Sequence, residues 1–227
     1  MSVPRSWPSG LPTAVTFEHG NRAALPALFA DDDVRFSEEL VGFFVERLTD
    51  PGDAVLDPFA GYGTTLVVAE SLGREAFGVE VDSDRATFVR SRMQAPDRLF
   101  TADARELDAL QIPAISLAIT SPPYSSPGDP EEALSAYRDP NPGYDRYLAD
   151  LQQVCRSVGS LLTPDGWLVI EAANLRRPDR VDTLAWDIAH AVGEVLPFAG
   201  EIVVRWEPTY GYGYDHSYCL LFSPPAG

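Results

Sequence analysis

Apolar positions first settle into a helical rhythm at Leu40, Val41, Phe44, Val45 and Leu48, inside FSEELVGFFVERL (36–48), with Ser37 placed as its N-cap. PGD (51–53) is a turn, and AVLDPF (54–59) begins as a short buried strand. After GYGTT, LVVAESLG (66–73) reads as a helix ending at Gly73. REAFGVEVD (74–82) is a second strand, and SDRATFVRSRMQA (83–95) a helix capped by Ser83 or Asp84. RLFTADA (98–104) and ISLAITSPPY (115–124) are further strands, the latter running into a Pro-Pro turn. YLADLQQVCRSVGSLL (147–162) is an amphipathic helix, TPDG a turn, WLVIEAAN (167–174) a strand and VDTLAWDIAHAVGEVL (181–196) a helix. EIVVRWEP (201–208) and DHSYCLLF (215–222) alternate as strands around a Gly/Tyr-rich turn.

Strands alternating with helices predict an α/β fold with an open, mostly parallel sheet. The last two strands leave no room for a helix between them, so the C-terminal strand is expected to be antiparallel. Residues 1–35, rich in Pro, Gly and Ala, are read as an irregular arm with one short helix near 21–30. Residues 36–227 then form a single domain, with ligands bound beyond the carboxyl ends of the strands. The Pro/Gly/Ser/Asp-rich stretch 125–146 is read as a long loop.

Composition narrows the picture. With 227 residues, 45% of them hydrophobic, the chain suits one domain with a proper core. No apolar run approaches the ~18 residues of a membrane span. MSVPRSWPSGLPTAV lacks the basic start and apolar stretch of a signal peptide, so a cytoplasmic protein is expected. Cys155 and Cys219 sit in apolar surroundings without metal-site spacing, and His19, His190 and His216 are scattered; no metal is expected. The formal charge is −17, and every basic residue is Arg. Nucleic-acid binders usually carry a basic excess, so contact with phosphate would have to come from a local Arg stripe.

Two constellations carry candidate chemistry. In VLDPFAGYGTT, Gly61 and Gly63 let backbone approach a ligand, while Leu66 stands where a dinucleotide loop has its third glycine. Asp57, Glu80 with Asp82, and Asp103 end successive strands. Such acidic walls oppose a pyrophosphate but suit a nucleoside bearing positive charge, and S-adenosylmethionine is such a ligand. In LAITSPPY, Ser121 ends a strand, and the prolines fix the carbonyls that follow. A ring amine is a poor nucleophile because its lone pair is delocalised. The Ser121 hydroxyl and the Pro122 carbonyl could accept its two N–H groups and turn the lone pair toward a methyl donor. Tyr124 offers a stacking face.

Together these segments resemble the DNA amino-methyltransferases of the N4-cytosine/N6-adenine class. DPFAGYGTT resembles their cofactor loop, GVEVD the ribose-binding segment, TADA the adenine-binding segment and TSPPY the catalytic motif, where a leading Ser is typical of the N4-cytosine enzymes. The helix segment from Arg35 to Asp57 resembles the one beside the methionine end of the cofactor. The resemblance runs from about residue 36 to 124 and more loosely through 144–174. It implies a Rossmann-like methyltransferase fold binding S-adenosylmethionine through Phe36, Ser37, Asp57, Pro58, Phe59, Gly61, Gly63, Thr64, Thr65, Glu80, Val81, Asp103 and Ala104. It puts Ser121, Pro122, Pro123 and Tyr124 at the target amine, with cytosine N4 of DNA, flipped or single-stranded, as the first substrate. RNA or a small-molecule amine is the alternative. The family usually carries a sizeable target-recognition region; here only 125–146 and 206–217 are candidates, with Arg138, Arg176, Arg177, Trp206 and Tyr212 as substrate contacts. A separate specificity subunit is a further expected partner.

Overall fold

An eight-stranded sheet organises the chain in the computed structural model, which describes residues 6–18, 25, 35–127, 134, 143–207 and 213–224. In chain order the elements are β1 (Ala14–Glu18), α1 (Glu38–Leu48), β2 (Ala54–Asp57), α2 (Thr64–Ser71), β3 (Glu75–Glu80), α3 (Ser83–Arg90), β4 (Leu99–Thr101), β5 (Ile115–Thr120), α4 (Gly143–Leu161), β6 (Leu162–Ala172), β7 (Leu175–Arg176), β8 (Val181–Asp182), α5 (Leu184–Gly193), β9 (Phe198–Glu207) and β10 (His216–Phe222). The sheet order is β1-β9-β10-β6-β5-β2-β3-β4. Strands β6, β5, β2, β3 and β4 run parallel, and β10 is antiparallel to both its neighbours. The expected open, mostly parallel sheet with an antiparallel C-terminal strand is therefore observed. The chain reverses its direction of winding between β2 and β5, which opens the crevice where ligands bind in such sheets.

Alternation along the strands divides the core. Leu56, Ala118, Leu168, Ile170, Leu220 and Phe222 face α4 and α5, while Val55, Leu117, Ile119, Val169, Cys219 and Leu221 face α1, α2 and α3. Helix α1 buries Leu40, Val41, Phe44 and Val45 completely, each stabilising the fold by roughly 1.5–3 kcal/mol on burial. The side chain of Ser37 caps it, accepting from the Leu40 N–H at 3.4 Å.

The structure corrects several local expectations. The N-terminal arm is not wholly irregular: β1 pairs in parallel with β9 at the sheet edge, Phe17 opposite Trp206. The helix expected near 21–30 lies outside the described residues, apart from residue 25. Helix α3 is capped by Asp82, whose carboxylate accepts from Asp84 and Arg85, rather than by Ser83 or Asp84. The TPDG segment is part of β6 instead of a turn, accommodated by a register shift where β5 meets β6. Helix α4 starts at Gly143, shortening the expected loop. An unanticipated hairpin, β7–β8, follows β6.

Candidate active site

At the carboxyl ends of β2, β3 and β5 the chain encloses a pocket, built first by the turn after β2. Gly61 (φ +52°) and Gly63 (φ +77°) both adopt left-handed backbone. Gly61 faces the pocket. Gly63 does not line it; a Cβ there would collide with the Val89 side chain, so this glycine lets α2 and α3 close together and serves as the α2 N-cap. The turn is held by the Gly63 N–H donating to the Ala60 carbonyl at 2.7 Å and the Ala60 N–H to the Val79 carbonyl at 2.9 Å.

Asp57 is buried and accepts from the hydroxyls of Thr65 (2.6 Å) and Thr120 (2.7 Å) and from the Phe59 N–H (3.0 Å). It braces β2, β5 and α2 against one another. Burial pushes its pKa up, against the lowering effect of those three donors. Glu80 accepts one backbone N–H on each oxygen, from Gly61 and from Asp82, both at 2.8 Å. That fixes the carboxylate across the pocket mouth with lone pairs left over for hydroxyl donors. Burial raises its pKa too, opposed by the Asp82 N–H, the charge of Arg85 and the Gly61 N–H.

Asp103 lines the pocket as expected, but its carboxylate is also engaged by Arg105, at 3.0 Å to Nε and 2.7 Å to Nη2. Arg105 in turn reaches Asp150 at 2.7 Å, and Arg146 holds the other oxygen of Asp150. Arg35, Arg85 and Arg105 all line the pocket, so its wall is of mixed charge rather than uniformly acidic. Arg105 is occupied by its two carboxylates, and Arg85 lies over the Tyr62 ring at 5.0 Å. Apolar surface comes from Phe36, Phe59, Ala104 and the exposed Val81.

Ser121 and Pro123 border the same pocket. The Ser121 hydroxyl donates to Glu171 Oε2 at 2.8 Å, and the Tyr124 hydroxyl reaches the same oxygen at 3.3 Å. Glu171, buried near the end of β6, was not anticipated from the sequence. Because its hydroxyl proton is committed to Glu171, Ser121 presents lone pairs, not a proton, to an incoming N–H group.

Of the residues expected to hold cofactor, Phe36, Asp57, Pro58, Phe59, Gly61, Thr64, Thr65, Glu80, Val81, Asp103 and Ala104 line the pocket. Ser37 and Gly63 do not, for they are committed to the α1 cap and to the α2–α3 contact. Pro122 is buried, and neither it nor Tyr124 lines the pocket. The expected substrate contacts fare differently. Trp206 is buried, packs on Phe17 and donates to the Ser217 hydroxyl at 2.9 Å; it is a core residue, not a stacking surface. Arg177 donates to Asp182 and to the Ser126 hydroxyl. Arg180 also holds Asp182 and reaches the Pro127 carbonyl at 3.2 Å. These two arginines therefore clasp the segment after Ser-Pro-Pro-Tyr to β8. Arg176 is exposed over the Tyr214 ring at 5.1 Å. Arg138 and Tyr212 lie outside the described residues. Among the described residues, no group of three His, Cys, Asp or Glu side chains could hold a metal, and no helix is long and apolar enough to cross a membrane.

The sheet order and the pocket at its carboxyl edge are those of a Rossmann-like methyltransferase fold. Residues 21–90 match the family model described as DNA methylase. The chain is 40% identical over 57 residues to the type II methyltransferase M2.DpnII of Streptococcus pneumoniae (23% of this chain, 21% of the relative). It is 46% identical over 43 residues to M.SmaI of Serratia marcescens (19% and 15%) and 37% identical over 62 residues to M.BamHI of Bacillus amyloliquefaciens (27% and 14%). The chain thus covers about a fifth or less of the length of these curated relatives. Over that shared segment it is similar to these type II DNA methyltransferases.

Among solved structures, TrmN from Thermus thermophilus superimposes with a TM-score of 0.58 at 18% identity, covering 82% of this chain and 48% of that one. An rRNA methylase from Streptococcus thermophilus gives 0.56 at 12% identity, covering 85% and 99%. Both likenesses concern the fold. The pocket, with acidic and apolar walls, suits S-adenosylmethionine, a nucleoside that carries positive charge. Glu80 keeps carboxylate lone pairs free for hydroxyl donors, and Val81 and Ala104 contribute apolar wall.

Proposed function

We propose that the protein transfers a methyl group from S-adenosylmethionine to an exocyclic ring amine of a nucleic-acid base, with cytosine N4 of DNA as the first target and adenine N6 as the second. The observation that carries this reading is the Ser121 hydroxyl, at the pocket edge, donating to the buried Glu171.

When bound, the cofactor supplies an activated methyl on a sulfonium. Ser121 Oγ accepts one N–H of the amine and the Pro122 carbonyl accepts the other. Holding both hydrogens there favours a tetrahedral nitrogen whose lone pair points at the methyl. Transfer from the bound cofactor would form the N–C bond as the S–C bond breaks, with that bonding pair left on sulfur. The methylated nitrogen then gives up a proton, and Ser121 with Glu171 behind it offers a path for it. No nucleophilic side chain is required, so positioning supplies most of the rate. Tyr124 provides the ring face on which the extruded base rests. Sequence specificity beyond the base would come from the segment after Ser121 or from a separate specificity subunit.

The test is a split between two variants. Ser121→Ala should bind cofactor with unchanged Kd by calorimetry but lose transfer to denatured DNA by about a hundredfold, the scale of a positioned catalytic hydrogen bond. Glu80→Ala should weaken cofactor binding itself. A fully active Ser121→Ala enzyme would remove Ser121 from the amine site.

A further inference from the structure

Beyond the target-amine site, the described surface carries a group of rings not yet assigned a role. Trp167 and Trp206 are buried, but Trp186, in the first turn of α5, is 41% exposed. It lies against Tyr218 with ring centroids 4.6 Å apart and planes at 51°. Tyr218 meets His216 edge-on at 5.3 Å, and His216 meets Tyr214 at 5.2 Å. Arg176 closes the row over Tyr214. Gly213 (φ +78°) makes that closure possible, because a Cβ there would stand 2.9 Å from Arg176 Cβ.

The row stands at the carboxyl edge of the sheet, as the reaction site does, on the side of α4 and α5. Tyr218 pairs across the sheet with Ala172, the residue after Glu171, so its ring lies one position along the strand from Glu171 and on the opposite face. Tyr218 and Tyr124 pack against the same core cluster. The start of α5 is tied to the loop after β6, since the Ala185 N–H donates to the Asn174 side chain at 3.1 Å. The Tyr144 hydroxyl donates to Asp187 at 2.8 Å, anchoring the turn that bears Trp186. Exposed Arg205 pairs with His216 across β9 and β10. Ring faces and guanidinium groups held on packed strands and a helix, beside a site for one base, make a surface for neighbouring bases. On a chain of charge −17, stacking would replace the phosphate contacts that a basic groove normally supplies.

We propose that Trp186, Tyr218 and Tyr214, with Arg176, form a subsite that stacks an unpaired nucleobase next to the base being methylated. This rests on the reading of a nucleic-acid base as substrate, and it favours single-stranded or locally opened nucleic acid over an intact duplex.

The experiment uses the full chain with cofactor bound and a fluorescein-labelled single-stranded 9-mer centred on the target base. A second 9-mer carries abasic spacers on both sides of that base. Trp186→Ala should weaken binding of the intact oligonucleotide by about tenfold, and Trp186→Phe should restore most of it. The spacer oligonucleotide should bind the wild-type protein about as weakly as the intact one binds Trp186→Ala, and should lose little more in the variant. Unchanged binding by Trp186→Ala, or an equal loss on both oligonucleotides, would overturn the subsite while leaving the methyl-transfer reading intact if the wild-type protein methylates the 9-mer. Wild-type protein that binds cofactor but neither binds nor methylates either oligonucleotide would overturn the base-substrate reading, and the subsite with it.

Discussion

At the residue scale, Ser121 takes its chemical meaning from Glu171. The motif Ser-Pro-Pro-Tyr was legible from the sequence, but its acidic partner was not. Within WLVIEAAN a single Glu in an apolar strand reads as a strand end. Its contact with Ser121, 50 positions earlier, is created only by the parallel pairing of β5 with β6. Glu171→Gln should keep cofactor affinity while lowering single-turnover transfer by at least tenfold; equal rates in variant and wild type would restrict Glu171 to a structural role. Trp206 shows the opposite failure. The sequence offered it as a substrate contact, whereas alternation with Ile202 and Val204 puts its side chain into the core. The cysteines take no part in the proposed chemistry. Both are buried, and burial pushes the Cys155 thiol up to about 12 and that of Cys219 well above its ordinary value. Neither should react with a disulfide reagent at pH 8 until denaturant is added, and rapid labelling of the native protein would contradict their placement.

At the element scale, the strand–glycine turn–helix unit was readable because each signal in it is local. Strand β1 was missed because AVTFE lies in a Pro-rich arm and its partner, β9, begins at Phe198, far along the chain. The β7–β8 hairpin escaped for a related reason: its value lies in what it holds. Asp182 is buried, and hydrogen bonds from Arg180 and Arg177 keep its carboxyl below the ordinary range. Its contribution to stability is therefore present above the unfolded-state pKa and is lost as pH falls through the lower folded one. Asp182→Ala should free both arginines from β8 and loosen the segment after Tyr124. We expect about 1–3 kcal/mol of lost stability and a lower kcat with unchanged cofactor Kd. Normal kcat would mean that the clasp does not position the catalytic segment. In the turn after β2, Gly63→Ala must both strain a left-handed residue and displace Val89, so thermal unfolding should report about 1–3 kcal/mol of destabilisation; an unchanged Tm would contradict the close α2–α3 contact.

At the scale of the whole molecule, a mostly parallel sheet with an antiparallel C-terminal strand, and ligands at its carboxyl edge, was accessible from alternation and connection rules; the order of its strands was not. The charge carries the more specific consequence. With 17 arginines against 34 acidic residues, several of those arginines are tied to carboxylates, among them Arg105, Arg146, Arg177 and Arg180. Arg176 and Arg205 remain as exposed cations beside the aromatic row. Two phosphate contacts on a single strand would give a plot of log K against log salt a slope of only about −1.4. A slope several times steeper would reveal an extended phosphate track elsewhere on the surface.

The central claim, transfer to an exocyclic base amine, is tested most directly by identifying the product. The protein would be incubated with isotope-labelled S-adenosylmethionine and unmethylated genomic DNA, native and heat-denatured, and the digested nucleosides identified by mass. The account predicts label in N4-methylcytosine, or failing that in N6-methyladenine, stronger with denatured DNA and absent with Ser121→Ala. Cofactor-bound protein that leaves every nucleoside unlabelled would contradict it.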